Sequence, residues 1–246
     1  MEQKEKDLLD IYERFESTKS AQGAVDFLRR NVEVVGCESV EFDLSDLRPT
    51  SCQPVAVDLG LPSGLKWADR NVGAKSPEDP GLFFSWGNVE GVEIGKVCDF
   101  SEEAYAKTKG YKLKSDLDAK HDAATVNMGE QWRTPSDDEF QELYDNCIYI
   151  NADGTEVDNS KTDKRVTVNG IVGLYLQSKL NGQRLFFSAS GYGGGTSWGR
   201  RGSSGYYWSS SFLSARIARS LIFGSGGVNP QDNGNRFNGF AVRAVK

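Results

Sequence analysis

The 246-residue sequence is poor in side chains that do catalytic chemistry. His121 is its single histidine and stands in the polar run Lys120-His-Asp-Ala, a setting expected at the exposed surface. Cys37, Cys52, Cys98 and Cys147 are scattered, with no CxxC spacing. That pattern defines neither a disulfide scaffold nor a zinc site, so buried free thiols are expected. No nucleophile, base and acid set can be assembled beyond His121. Neither an enzyme nor a cofactor is expected. Oxygen ligands do occur in Asn229-Pro-Gln-Asp-Asn233, but after residue 164 only Asp232 carries a carboxylate. Calcium needs several oxygens converging on one point, so no metal is expected.

The other chemistry available is recognition. From Gly191 onward, aromatic, aliphatic and Arg side chains stand one or two at a time among Gly, Ser and Asn, with no helical period. Trp208, Leu221, Phe240 and Val242 are expected in the core, the last two on one strand face. Trp198, Arg200, Arg201, Phe212, Leu213, Arg216, Ile217 and Arg219 cannot all point inward, and Tyr206 lies in the same run. Trp, Tyr and Arg on small-residue loops have the composition of a binding surface. A loop-rich β surface with incidental apolar residues stays open on composition alone.

Charge follows the same division. The net charge is −6, yet residues 165–246 hold ten Lys and Arg against one acid, Asp232. The excess is mostly Arg, including Arg184, Arg200, Arg201, Arg216, Arg219, Arg236 and Arg243. Nucleic acid would favour such an end, but the strongly acidic remainder opposes it, and no nucleic-acid partner is expected. Hydrophobic residues make up 38%, enough for a packed core, and no apolar run is long enough to span a membrane. The opening Met1–Asp10 has no apolar signal core, which leaves a cytoplasmic location open.

These residues need elements to hold them. Residues 1–50 read as a small α+β appendage: a helical hairpin over 3–16 and 21–31, then two strands, with a linker over 47–54. Beyond it, Val55–Leu59 is a strand, Leu61–Gly64 a turn, and 81–88 a buried apolar segment, while 89–131 is polar and irregular. One helix is well signalled. Ser136 can cap it, Glu139 can close a capping box, Pro135 stops it extending backwards, and Phe140, Leu143 and Tyr144 form its buried face. Ile148–Val157 reads as a hairpin around Asp153-Gly154 rather than a calcium loop, since the twelve-residue ligand series is missing. Strands follow at Arg165–Val168, Val172–Leu176 and Arg184–Phe187. Fifteen of the 27 glycines lie after residue 164, favouring turns over long helices.

Gln131-Trp-Arg-Thr-Pro-Ser-Asp-Asp-Glu-Phe-Gln-Glu-Leu143, Tyr207-Trp-Ser-Ser210 and Asn238-Gly-Phe-Ala-Val-Arg243 resemble, in order, landmarks of a bacterial C-type-lectin-like domain family. Val57–Trp67 is similar to that family's opening strand and turn. The likeness covers about residues 55–246, and residues 1–50 lie outside it. The ending is similar to variable proteins of diversity-generating retroelements, in which a reverse transcriptase rewrites adenine positions at the 3′ end of the gene. The resemblance implies an α+β C-type-lectin-like fold with a variable region over about 191–246. It also implies a first strand and a last strand, Phe240–Val245, that meet.

Rewritten positions implied by the resemblance are Trp198, Arg200, Leu213, Arg216, Ile217, Arg219, Ile222, Gly224, Gly227, Asp232, Gly234 and Phe237. Tyr207, Trp208, Ser209, Ser210, Val228, Asn229, Pro230, Gln231, Asn233, Asn235, Arg236 and Gly239 match as framework. The implied function is binding a protein or glycan on a cell surface, with display on a phage virion or a cell. A non-diversified lectin-like binding domain is the alternative. Formylglycine-generating enzymes share the broader fold and use active-site cysteines, but all four cysteines here precede residue 148. The Glu-Pro-Asn, Gln-Pro-Asp and Trp-Asn-Asp signatures of calcium-dependent sugar lectins are missing.

Overall fold

The computed structural model describes residues 53–246, and the expected appendage over 1–50 lies outside them. The described part is α+β, with small sheets and few helices. Its strands are β1 (Ala56–Asp58), β2 (Lys66–Asn71), β3 (Leu82–Phe84), β4 (Val92–Glu93), β5 (Cys147–Tyr149), β6 (Val166–Val168), β7 (Ile171–Ser178) and β8 (Arg184–Ser188). They continue with β9 (Tyr192–Gly194), β10 (Ser197–Gly199), β11 (Gly205–Phe212), β12 (Ile217–Gly224), β13 (Gly227–Asn235), β14 (Phe240–Ala241) and β15 (Arg243–Val245). The helices are α1 (Glu102–Tyr105), α2 (Ala123–Met128) and α3 (Asp137–Asn146). The stretch expected to be irregular, 89–131, therefore contains β4, α1, α2 and a 3-10 turn at Gly110–Lys112. These pieces are too short to leave a periodic signal.

The expected meeting of the domain's first and last strands takes a specific form. β1 and β15 flank β2 on opposite sides, so they share a sheet without pairing to each other. The single strand expected over 240–245 is broken at Val242. β14 joins a six-stranded sheet in the order β13-β12-β11-β14-β3-β4, while β15 joins β2. The break lets one short segment stitch two sheets, and Phe240 and Val242 are both buried in one cluster with Trp208 and Trp86.

Helix α3 begins as its sequence dictates. Ser136 Oγ accepts from the Glu139 N–H, and the Glu139 carboxylate accepts from the Ser136 N–H, at 3.2 and 2.8 Å. Phe140 and Leu143 pack into a core with Trp67, Phe187, Tyr207 and Leu221. Tyr144, expected beside them, is 40% exposed and lies edge-on to Tyr149. The Asp153-Gly154 turn is present, with Gly154 at φ +88°, but only Ile150 and Glu156 pair across it. β5 pairs instead with β7 in the sheet that also holds β6 and β8.

Two buried guanidiniums tie these layers together. Arg243 donates to Asn71 Oδ1 and to the carbonyls of Ala68, Asp69 and Phe186, over the Phe187 ring. Arg236 donates to the carbonyls of Gly110, Leu113, Ser214 and Ala215 and to the Tyr105 hydroxyl, and lies 4.6 Å over Trp86. The six-stranded sheet ends in a nine-residue edge strand, β13, that is blunted against further pairing. Pro230 has no N–H to offer, and the N–H groups of Gln231 and Asn233 are taken by Asn229 Oδ1 and Asp232 Oδ1. Among the described residues, no helix is long and apolar enough to cross a membrane.

Candidate functional site

Strands β11, β12 and β13 run antiparallel, with Tyr206 opposite Ile222, Ser220 opposite Asp232, Ala218 opposite Gly234 and Ile217 opposite Asn235. This register gathers residues distant in sequence. Arg200, Tyr206, Ile217, Ile222 and Gly234 line an open groove of about 280 Å³ together with Tyr192, Asn233, Asn235, Asn238 and Phe240. A second depression of about 380 Å³ shares Arg200, Tyr206 and Ile222 and adds Asp232, Asn229 and the Gly224–Gly227 turn. Nothing in local sequence marked Tyr192 or Asn238, and Asn233 and Asn235 were read as framework. The register brings Asn233 and Asn235 to the groove, while Tyr192 comes from β9 and Asn238 from the turn after β13.

The floor is aromatic. Tyr192 and Tyr206 have ring centroids 5.0 Å apart, Tyr206 and Phe240 5.1 Å, and Phe240 stacks on Trp208 at 4.1 Å. Gly234 presses its backbone onto this stack: a Cβ there would stand 2.6 Å from the Phe240 ring and 3.1 Å from Trp208. Gly234, expected as a display position, is therefore a buried piece of floor in this packing. Burial pushes the Tyr206 phenol pKa up; Arg200 pulls it down, and Asp232 is close enough to raise it. A cation and an anion thus both lie on the second depression, which shares Tyr206 with the groove.

Arg200 follows the small β9–β10 hairpin, in which Tyr192 pairs with Gly199. Its backbone is left-handed, φ +55°, which is uncommon for a residue with a side chain. Three donors fix that turn through the Arg200 carbonyl: the N–H groups of Ser203 and Ser204 and the Ser203 hydroxyl. The Arg200 side chain is exposed, and no carboxylate among the described residues pairs with it.

Other expected members lie elsewhere. Trp198 is a half-buried plug, edge-on to Phe83 and Phe100 at 5.1 and 5.8 Å, and its indole N–H donates to the Lys96 carbonyl. Arg201 is exposed beside Glu78, Pro80 and Ile171, in a separate depression. Phe212 packs on Trp86 beneath Arg236. Arg216 pairs with Glu102 and Arg219 with Asp137, at 3.0 and 3.4 Å. Leu213 is exposed and Phe237 half-buried, and neither lines either depression. Much of the basic excess is thus absorbed within the fold, by burial of Arg236 and Arg243 and by acids nearer the N-terminus.

Reactive groups are muted. Burial pushes the Cys147 thiol up to about 11 and also raises Cys98, so little thiolate forms at neutral pH. Cys37 and Cys52 lie outside the described residues. His121, expected to be exposed, is half-buried, with Nδ1 2.7 Å from Asp118 Oδ1. Among the described residues, no three His, Cys, Asp or Glu side chains converge as a metal site. No family model, curated protein or solved structure matches the chain.

Proposed function

We propose that this chain is a non-catalytic ligand-binding protein of the receptor or adhesin kind. In this reading it has a C-type-lectin-like fold and is displayed on a phage virion or cell surface. Its recognition face is the pair of adjoining depressions around Arg200, Tyr206, Ile222 and Asp232, in a C-terminal region diversified by a retroelement.

One observation carries the reading. Arg200, Ile217, Ile222 and Asp232 converge on these two depressions without forming the core, while Trp208, Leu221 and Phe240 are buried and Tyr206 packs on Phe240 as floor. Variable side chains over an invariant platform can change without unfolding the protein, since surface substitutions usually stay within about ±0.5 kcal/mol. The absorbed Arg charge leaves little of the continuous basic stripe that phosphate binding needs.

The test is a library randomised at those four positions, with Tyr206 kept. Most members should keep the parental melting temperature and differ in which cell surfaces they bind; widespread unfolding would sink the reading. Sequencing the neighbouring DNA for a reverse transcriptase and a near-copy of the 3′ end, altered at adenines, tests the retroelement part. Gly234 favours a second reading in which the groove is fixed, because a side chain there would collide with Phe240.

A further inference from the structure

We propose that the groove takes an oligosaccharide carrying a carboxylate, with that carboxylate held by Arg200; this rests on the recognition face proposed above. Three observations lead there. First, Arg200 is exposed, unpaired among the described residues, and set in a left-handed turn by three hydrogen bonds to its carbonyl. Non-glycine residues keep such a backbone only where their surroundings hold it, and these outliers gather at binding sites. A guanidinium so placed matches a carboxylate with two parallel N–H donors.

Second, the apolar part of the groove is recessed. The exposed large apolar side chains, Leu213 among them, lie outside it, and Ile217 and Ile222 are half-buried. A recessed apolar floor under polar side chains suits a sugar ring, whose apolar face and hydroxyls lie side by side. Third, the lining is rich in groups that exchange hydrogen bonds with hydroxyls. Asn233, Asn235 and Asn238 each offer a donor and an acceptor, and Tyr192 and Tyr206 add phenols above an aromatic floor. Asp232, which lines the adjoining depression with Arg200, repels a carboxylate, so Arg200 is the group left to hold it and neutral hydroxyls suit the Asp232 side chain.

The experiment titrates the full chain calorimetrically with tetragalacturonate and sialyllactose, with their neutral counterparts (the methyl ester and lactose), and with a glutamate-rich peptide. An acidic sugar is expected to bind at least tenfold more tightly than its neutral counterpart. Arg200→Gln and Arg200→Gly should abolish that preference, whereas Arg201→Gln, in the separate depression, should keep it. Arg200→Gly should melt no lower than the parent, since glycine accepts φ +55°; this separates lost recognition from lost folding. Equal binding of acidic and neutral sugars, abolished by Tyr206→Ala or Asn235→Ala, would overturn the carboxylate inference and leave the groove standing. Binding indifferent to Arg200, Tyr206 and Asn235 would overturn both. Preference for the peptide, or no binding of either acidic sugar, would overturn the inference.

Discussion

Trp208 and Phe240 stack with ring centroids 4.1 Å apart and planes 23° apart, and Gly234 closes over the pair from strand β13. The Trp208 indole N–H donates to the Phe84 carbonyl at 2.7 Å, so the stack also fastens β11 to β3. Trp208→Ala should cost roughly 3–5 kcal/mol, as for a fully packed aromatic. Gly234→Asn should cost about 1–3 kcal/mol by overpacking the same stack. Urea denaturation of both variants checks this, and a neutral Gly234→Asn would mean that β13 lifts readily from the floor.

Arg236 and Arg243 are fully buried, and their hydrogen bonds go to carbonyls, an amide oxygen and a phenol rather than to carboxylates. Burial pushes the Arg243 pKa down to about 10, so it stays charged at neutral pH. Arg236→Lys should cost about 2 kcal/mol or more, because one ammonium cannot reach all the acceptors that the guanidinium spans. Two of them, the Ser214 and Ala215 carbonyls, belong to the turn between β11 and β12. Amide hydrogen exchange at Leu213–Ile217 should therefore accelerate beyond the global loss of stability. Exchange that merely tracks global stability would show that Arg236 does not hold this turn.

Several features were legible because their signals are local. Ser136 and Glu139 are three residues apart, and their capping box needs nothing from the rest of the chain. Phe240 and Val242 read as core because they stand two apart on one strand face, and both are buried. What failed depended on partners far away. Trp198 reads like a display aromatic until Phe83 and Phe100 enclose it, and Arg219 like a display cation until Asp137 arrives. The groove was half-legible: the region was recognisable, but which of its side chains share a face depends on the β11–β12–β13 register and its bulge near Ser220. The +9 end looked like a surface property because burial of two arginines leaves no mark in composition.

Trp198 and Arg200, two residues apart, should respond in opposite ways. Trp198→Ala removes a half-buried ring and an indole hydrogen bond and should cost about 2 kcal/mol, below the range for complete burial. Arg200→Ala removes only an exposed side chain and should stay within about 1 kcal/mol. Thermal melts of the two variants compare them directly. Equal losses would contradict the assignment of Trp198 to the core and Arg200 to the surface.

Acid should weaken the start of α3. Burial raises the Glu139 pKa, but Arg133 and the Ser136 N–H outweigh it and hold the carboxyl below its usual value. A lowered carboxylate pKa contributes stability above the unfolded-state value, about 4.3, and that contribution disappears as pH falls through the folded value. Glu139→Gln keeps the reciprocal cap but loses the ion pair to Arg133. It should cost roughly 1 kcal/mol at pH 7 and little below pH ~3. A cost unchanged by pH would remove the ion pair as its cause.

Folding and binding should be independent of calcium. Asp232 is the one carboxylate lining the two depressions, and its Oδ1 already accepts from the Asn233 N–H. A single carboxylate with scattered amide oxygens falls short of the six to eight oxygen ligands that the ion takes. Melting temperature and ligand affinity should therefore agree between millimolar calcium and excess EDTA. An affinity lost in EDTA and restored by calcium would show that the bound ligand itself completes a metal site at Asp232, and Asp232→Asn would then abolish the restoration.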